Sequence, residues 1–236
     1  MNSSLDDPQF KVLLATCKSL SDMFDQGLVY IGGIAVYLHC INQQESMPLA
    51  ESTHDADFYI SFTDMSDLRE IEEVTPNRRL QKSQFIKNGF EFDIYTERLS
   101  TLIVPYDAVC AHSVQYDNVR VACLEHLFVL KLEAYRDRKD SAKGGKDARD
   151  LMRIMVVATL AEQFNTDLVV PYLDDAHLEL FDRLRKSPEA IGLAGGNAMK
   201  AKAIRSDVQS ILQRIETGES SLKPSVAGPD DGAPGR

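Results

Sequence analysis

The chain has 236 residues, of which 44% are hydrophobic and 26% charged, a balance suited to a globular protein with a substantial core. Its net charge of −10 excludes a protein that coats nucleic acid nonspecifically, which carries the opposite sign. No apolar run is long enough to cross a bilayer, and the four cysteines (Cys17, Cys40, Cys110, Cys123) form no C-x-x-C pair, so neither a membrane anchor, a disulfide framework nor a zinc site is expected.

The start, Met-Asn-Ser-Ser-Leu-Asp-Asp-Pro, is acidic and lacks the basic and apolar pattern of a signal peptide, so a cytoplasmic protein is expected. Phe10, Leu13, Leu14, Cys17, Leu20 and Phe24 recur at helical spacing and predict a helix over 9–26, with Gly27 as its stop. Leu28-Val29-Tyr30-Ile31 predicts a short buried strand. Gly32-Gly33 breaks it, and an apolar helix follows from Ile34 to Ile41. Residues 42–54 are polar and read as a loop.

Residues 55–62 alternate. Ala56, Phe58, Ile60 and Phe62 share one face, and Asp55, Asp57, Tyr59 and Ser61 the other. A short helix over 66–73, capped by Ser66, is expected next. Asn88-Gly89 between two alternating runs, 84–87 and 90–95, predicts a tight hairpin. Its second strand puts Phe90, Phe92 and Ile94 on one face and Glu91, Asp93 and Tyr95 on the other. Further short strands are expected at 101–104 and 118–123. Helices are expected over Leu124–Arg138 and from Asp147 to Phe164, with a basic, glycine-containing stretch between them. The remainder to Gly218 reads as helical, broken near Gly195-Gly196. Beyond it the chain is rich in Gly, Pro and Ser and reads as a disordered tail.

Strands therefore concentrate in the first half and helices in the second. The expectation is an α+β fold, with a strand-containing core over 1–123, a helical region over 124–217 and a tail over 218–236.

Two carboxylates at i and i+2 on a strand share a face, about 6.5–7 Å apart at Cα, and can converge on cations. Asp55 and Asp57 have that spacing; an isolated D-x-D is more often a solvated strand face. Two features add weight. Gly32-Gly33 lies between a strand and a helix, where glycine lets a phosphate approach the backbone and the helix N-terminus offers N–H groups. A plain tight turn is the commoner use of such a pair. Asp93, on the polar face of another strand, would supply a third hard oxygen ligand.

Gly32-Gly33, then Thr53-His54-Asp55-Ala56-Asp57, then Asp93, resembles the nucleotidyltransferase superfamily related to DNA polymerase β. Leu124-Glu125-His126-Leu127, Lys131-Leu132-Glu133-Ala134, Arg138 and Lys146-Asp147-Ala148-Arg149-Asp150-Leu151 resemble the helical segment of the AbiEii-type members, which include toxins of abortive-infection and toxin–antitoxin systems. The resemblance covers about residues 28–155. It implies a nucleotidyltransferase-type mixed sheet with a helical C-terminal half.

It also implies Mg²⁺-dependent transfer of a nucleoside monophosphate from an NTP to a hydroxyl, with pyrophosphate released. Asp55, Asp57 and Asp93 would hold metal, and Lys131 would neutralise the triphosphate. Gly32 and Gly33 would cradle the phosphates. Lys146, Asp147 and Asp150 would complete the nucleotide site, the two acids orienting Lys131 or the base. The implied partners are RNA, such as tRNA, and a cognate antitoxin protein. A protein or small cationic acceptor, or a catalytically silent nucleotide- or partner-binding relative, are the competing readings. One departure from the pattern is Glu51, where these proteins often carry Arg. As charges alone, Lys131 also reads as a snorkelling lysine, and Asp147 and Asp150 as acids at a helix N-terminus. Arg136, Arg138, Lys139, Lys143, Lys146, Arg149 and Arg153 read either as a landing site for phosphates or as a salt-bridged loop.

Overall fold

A computed structural model describes residues 7–24, 27–98 and 101–219. Helix α1 (Pro8–Met23) opens on Asp7, whose carboxylate accepts from the Gln9 amide. Strand β1 (Leu28–Ile31) runs straight into α2 (Gly32–Ile41). Strand β2 (Asp55–Ile60), helix α3 (Phe62–Ile71), and strands β3 (Thr75–Asn77), β4 (Lys82–Lys87) and β5 (Phe90–Thr96) follow. Helix α4 (Tyr106–Ala111) leads to β6 (Val114–Tyr116) and β7 (Val119–Val121). The rest is helical: α5 (Leu124–Arg138), α6 (Ala142–Leu160), α7 (Asp175–Arg185), α8 (Glu189–Leu193) and α9 (Ala198–Thr217).

The strands form one mixed sheet in the order β3-β4-β5-β2-β1-β7-β6. β2 is antiparallel to β1 and parallel to β5. The β4–β5 hairpin closes on Lys87 opposite Phe90, with Asn88 and Gly89 both at positive φ (53° and 83°), the backbone a two-residue primed turn requires. On the apolar face Phe85 stacks on Phe92 at 4.8 Å between ring centres, and Phe58 meets both edge-on or tilted. Helix α1 is tied down here: the Tyr30 hydroxyl donates to the Cys17 carbonyl at 3.0 Å. One continuous buried cluster runs from Phe10 through the sheet to Leu151, Ile154 and Ile211, so α5, α6 and α9 share the core of the strands.

The α+β architecture, with strands first and helices after, is as the alternation patterns anticipate. Several boundaries differ. The helix expected at 66–73 is α3, and its cap is Ser61, which accepts from the Asp64 amide at 3.0 Å; β2 thus ends at Ile60, and Phe62 is exposed. Residues 101–104 form no strand; Val104 is buried and its carbonyl accepts the Tyr59 hydroxyl at 2.7 Å. The strand expected over 118–123 is the short β7, paired with β6. α6 begins at Ala142, five residues before Asp147, and ends at Leu160. Asp147 and Asp150 therefore lie inside a helix and not at its N-terminus. Of the tail expected over 218–236, residues 220–236 lie outside the described residues.

Candidate active site

The polar face of β2 and β5 carries the acids. In parallel register Asp57 lies beside Asp93, Asp55 beside Glu91 and Tyr59 beside Tyr95. Asp55 sits two residues before Asp57 on the same face, so three aspartates occupy one patch of sheet.

On the other side of β2, Ile31 is the register partner of Asp57, and Gly32 is the next residue. Gly32 has φ +70°, and a Cβ there would lie 2.3 Å from Asp57 Oδ2. Glycine is demanded twice, by backbone sign and by the carboxylate against it. A Cβ on Gly33 would meet Thr53 at 3.0 Å. The Gly-Gly turn is thus fitted around Asp57 and Thr53. The Thr53 hydroxyl donates to Asp55 Oδ1, and Lys146 Nζ lies 3.3 Å from the same hydroxyl.

The three acids have different company. Asp93 accepts from Gln84 Nε2 at 2.7 Å and is ion-paired with Lys82. Among the described residues no group donates a hydrogen bond to Asp57. Burial, then the charges of Asp55 and Asp93, push its carboxyl up to about 7, against the pull of Lys131 and Lys82. Burial raises Asp55 too, but the Thr53 hydroxyl, Lys146 and Lys131 together hold it below its ordinary value. Tyr95 is half-buried beside Asp57 and Asp93; burial, then the charges of these two acids, push its hydroxyl well above the usual range and keep it a proton donor.

Facing this floor is a wall from α5 and α6. Lys131 Nζ pairs with Asp150 Oδ2 at 2.6 Å and lies 4.0 Å from Asp147 Oδ1. Burial works against its charge, but Asp150, Asp147 and Asp57 raise its pKa, so it stays an ammonium. Arg138 binds Asp147 through both Nε and Nη2, at 3.0 and 2.9 Å. Buried Arg153 joins Asp150 at 2.8 Å, the Leu49 carbonyl at 2.7 Å and the carboxylate of Glu51. Arg149 bridges Glu51 at 3.5 Å and Glu189 at 2.9 Å. A continuous chain of charges therefore runs from Arg138 to Glu189. It fixes Lys131 and ties the segment before β2 to α6.

This chain answers three questions the sequence left open. Asp147 and Asp150 are buried and engaged with Lys131, Arg138 and Arg153. Glu51 does not stand free in the cleft; burial raises its carboxyl, but Arg153 and Arg149 hold it below the usual range. Of the basic cluster, Arg136, Arg138, Arg149 and Arg153 are spent on ion pairs, while Lys146 reaches Thr53. Lys82 was not singled out from sequence as Asp93's partner. The hairpin register sets Gln84 opposite Asp93, a pairing that counting back from the Asn-Gly turn could have found.

The donor set suits a divalent cation such as Mg²⁺: hard carboxylate oxygens, one carboxylate free of hydrogen bonds, and a mutual repulsion a cation would relieve. Among the described residues no three acid side chains are already drawn round one point, since Asp55 is held by Thr53 and Asp93 by Lys82 and Gln84. Occupancy therefore requires exchange of those contacts.

No protein-family model and no curated protein matches the sequence. Solved structures do resemble it. A candidate nucleotidyltransferase from H. pylori is 17% identical, over 93% of this chain and 99% of that one, with a TM-score of 0.48. An antigenic nucleotidyltransferase-like protein from Paracoccidioides brasiliensis is 14% identical, over 86% and 93%, with a TM-score of 0.47. The Megavirus polyadenylate synthase is 14% identical over 67% of this chain, which spans only 34% of that protein, with a TM-score of 0.49. The likeness is one of overall architecture; the chemistry of the site rests on its own residues.

Proposed function

We propose that the chain transfers a nucleoside monophosphate from an NTP to a hydroxyl acceptor and releases pyrophosphate. The observation that carries this reading is Asp57 beside Asp93 in parallel register, with Asp55 two residues away and charged Lys131 opposite. In the reaction the acceptor oxygen bonds to the α-phosphorus. The bond from that phosphorus to the bridging oxygen breaks, and its electron pair leaves with pyrophosphate. The acceptor hydroxyl gives up its proton to solvent water.

Asp55, Asp57 and Asp93 would hold Mg²⁺. When bound, it supplies counter-charge to the triphosphate and acidifies the acceptor hydroxyl. The protein's own contribution is positioning and charge. Lys131, fixed by Asp150 and Asp147, offsets charge growing on the departing pyrophosphate. The Gly32–Gly33 turn at the N-terminus of α2 receives phosphates, and Lys146 supports them. Asp147 and Asp150 act by holding Lys131 and Arg138. Tyr95 offers a hydroxyl beside the acids.

The proposed acceptor is RNA, such as the 3′ end of tRNA, with the chain as a toxin restrained by a cognate antitoxin protein. The resemblance of 124–151 to the AbiEii-type helical segment supports this. The test is incubation with Mg²⁺, each α-labelled NTP in turn, total RNA and cell lysate. Label on small RNA that disappears in Asp57→Ala is the expected result. Label on protein would move the acceptor to a side-chain hydroxyl. NTP binding without any label would sink the transferase reading and leave a silent nucleotide-binding relative.

A further inference from the structure

The back of the sheet holds a cavity of about 650 Å³ between α3 and the β3–β5 edge. Ile94 and Thr96 line it; they alternate with Asp93 and Tyr95 along β5 and so project from the opposite face to the acids. Arg69, Arg78 and Arg98 surround it, with Asn77 and buried Ser83. No Asp or Glu lines it, in a chain that has 36 of them. Lys82 is also on the wall, but its ammonium is committed to Asp93.

One observation sets this cavity apart from an ordinary surface dent. Among the described residues none of the three arginines has a carboxylate partner; Arg98 only stacks over the Phe62 ring at 4.4 Å. Several other arginines in this chain are paired with acids, as are Arg138, Arg149, Arg153, Arg183 and Arg185.

We propose that this cavity is a second binding site, for a small phosphorylated anion, separated from the acidic cleft by the thickness of β5. Guanidinium groups match phosphate oxygens in paired hydrogen bonds, and cavities of roughly 300–1,000 Å³ accept molecules of nucleotide size. The site stands whether or not the cleft transfers nucleotides.

The experiment is titration calorimetry of the full chain with inorganic pyrophosphate in EDTA, with variants Arg69→Gln, Arg98→Gln and Lys131→Met. All the arginines concerned are exposed, so the first two variants fold, as unchanged melting temperatures would verify. Wild type is expected to bind, each arginine variant about tenfold more weakly, since charge-assisted hydrogen bonds are lost. Lys131→Met is expected to leave the affinity unchanged. The proposal is overturned if wild type does not bind, if both arginine variants bind normally, or if Lys131→Met, folded by its circular dichroism, removes binding, which would place the anion in the cleft. A short single-stranded RNA that outcompetes pyrophosphate through the same arginines would replace the small ligand with an RNA path.

Discussion

Asp57, half-buried on the sheet, and Asp150, buried on the helix wall, are both aspartates drawn away from bulk water, yet their chemistry is opposite. Burial raises each carboxyl. At Asp150, Lys131 and Arg153 more than offset this and hold it below its ordinary value. At Asp57 the nearest charges are Asp55 and Asp93, which add to the burial and bring it to about 7. Burial alone does not decide ionisation; the sign of the neighbours does. The wall is an electrostatically completed structure, whereas the floor is a deficit that a cation would fill.

That contrast can be broken first at the wall. Arg153→Ala leaves Asp150 and Glu51 short of a partner in a buried network. It should cost about 3–5 kcal/mol, the penalty for breaking a buried ion pair, read as a fall in denaturant midpoint. An unchanged midpoint would mean the network contributes no stability.

At the floor the effect should have the other sign. The folded carboxyl of Asp57 sits near 7 against 3.8 in its ordinary state, so between these values the folded chain binds more protons than the unfolded one. Its stabilising contribution is full below 3.8 and is lost as pH rises through 7. Asp57→Asn removes that loss. Its melting temperature should exceed that of wild type at pH 8 and match it near pH 4, with a gain of at most about 4 kcal/mol at one pKa unit per 1.4 kcal/mol. A variant less stable at pH 8 would show that Asp57 is not strained there.

Gly32→Ala sharpens the account of the turn. A methyl 2.3 Å from Asp57 Oδ2, on a backbone with φ +70°, should destabilise the fold by about 1–3 kcal/mol. Its denaturation midpoint is the check, and Asp57→Asn should not rescue it, because the asparagine side chain fills the same space. The smallest effect belongs to the back of the sheet. Thr96→Val replaces a buried, unpaired hydroxyl with a methyl and should stabilise the free protein by about 1 kcal/mol, seen as a higher melting temperature. A destabilised variant would mean the hydroxyl is bonded in solution.

Much of the floor was legible in the sequence because strand alternation and the Asn-Gly turn are local rules. Asp55, Asp57 and Asp93 follow from them, as does the polar face they share with Tyr59 and Tyr95. The wall was less legible. Gly144-Gly145 reads as a loop by propensity, yet both lie in the opening turns of α6. A Cβ on Gly144 would meet the Arg138 carbonyl at 2.5 Å, so the glycine serves the close packing of α6 on the end of α5. Tertiary contact overrode propensity there and moved the helix start from Asp147 back to Ala142. Likewise Glu51, which reads as an acid where the resembling family often carries Arg, is neutralised by Arg153 from 102 residues away, a pairing no local pattern encodes. Ser61 displaced Ser66 as a cap because β2 stops at Ile60, a boundary set by pairing with β1 and β5.

The central claim is that the acid floor is built to take a divalent cation through Asp57. A carboxyl near 7 holds its proton most of the time at pH 6, and a metal can bind it only by displacing that proton. The direct measurement is Mg²⁺ titration calorimetry at pH 6 in buffers of different ionisation enthalpy. The account predicts binding with proton release in wild type, and neither in Asp57→Asn. Binding without proton release, or binding that survives in Asp57→Asn, would contradict it.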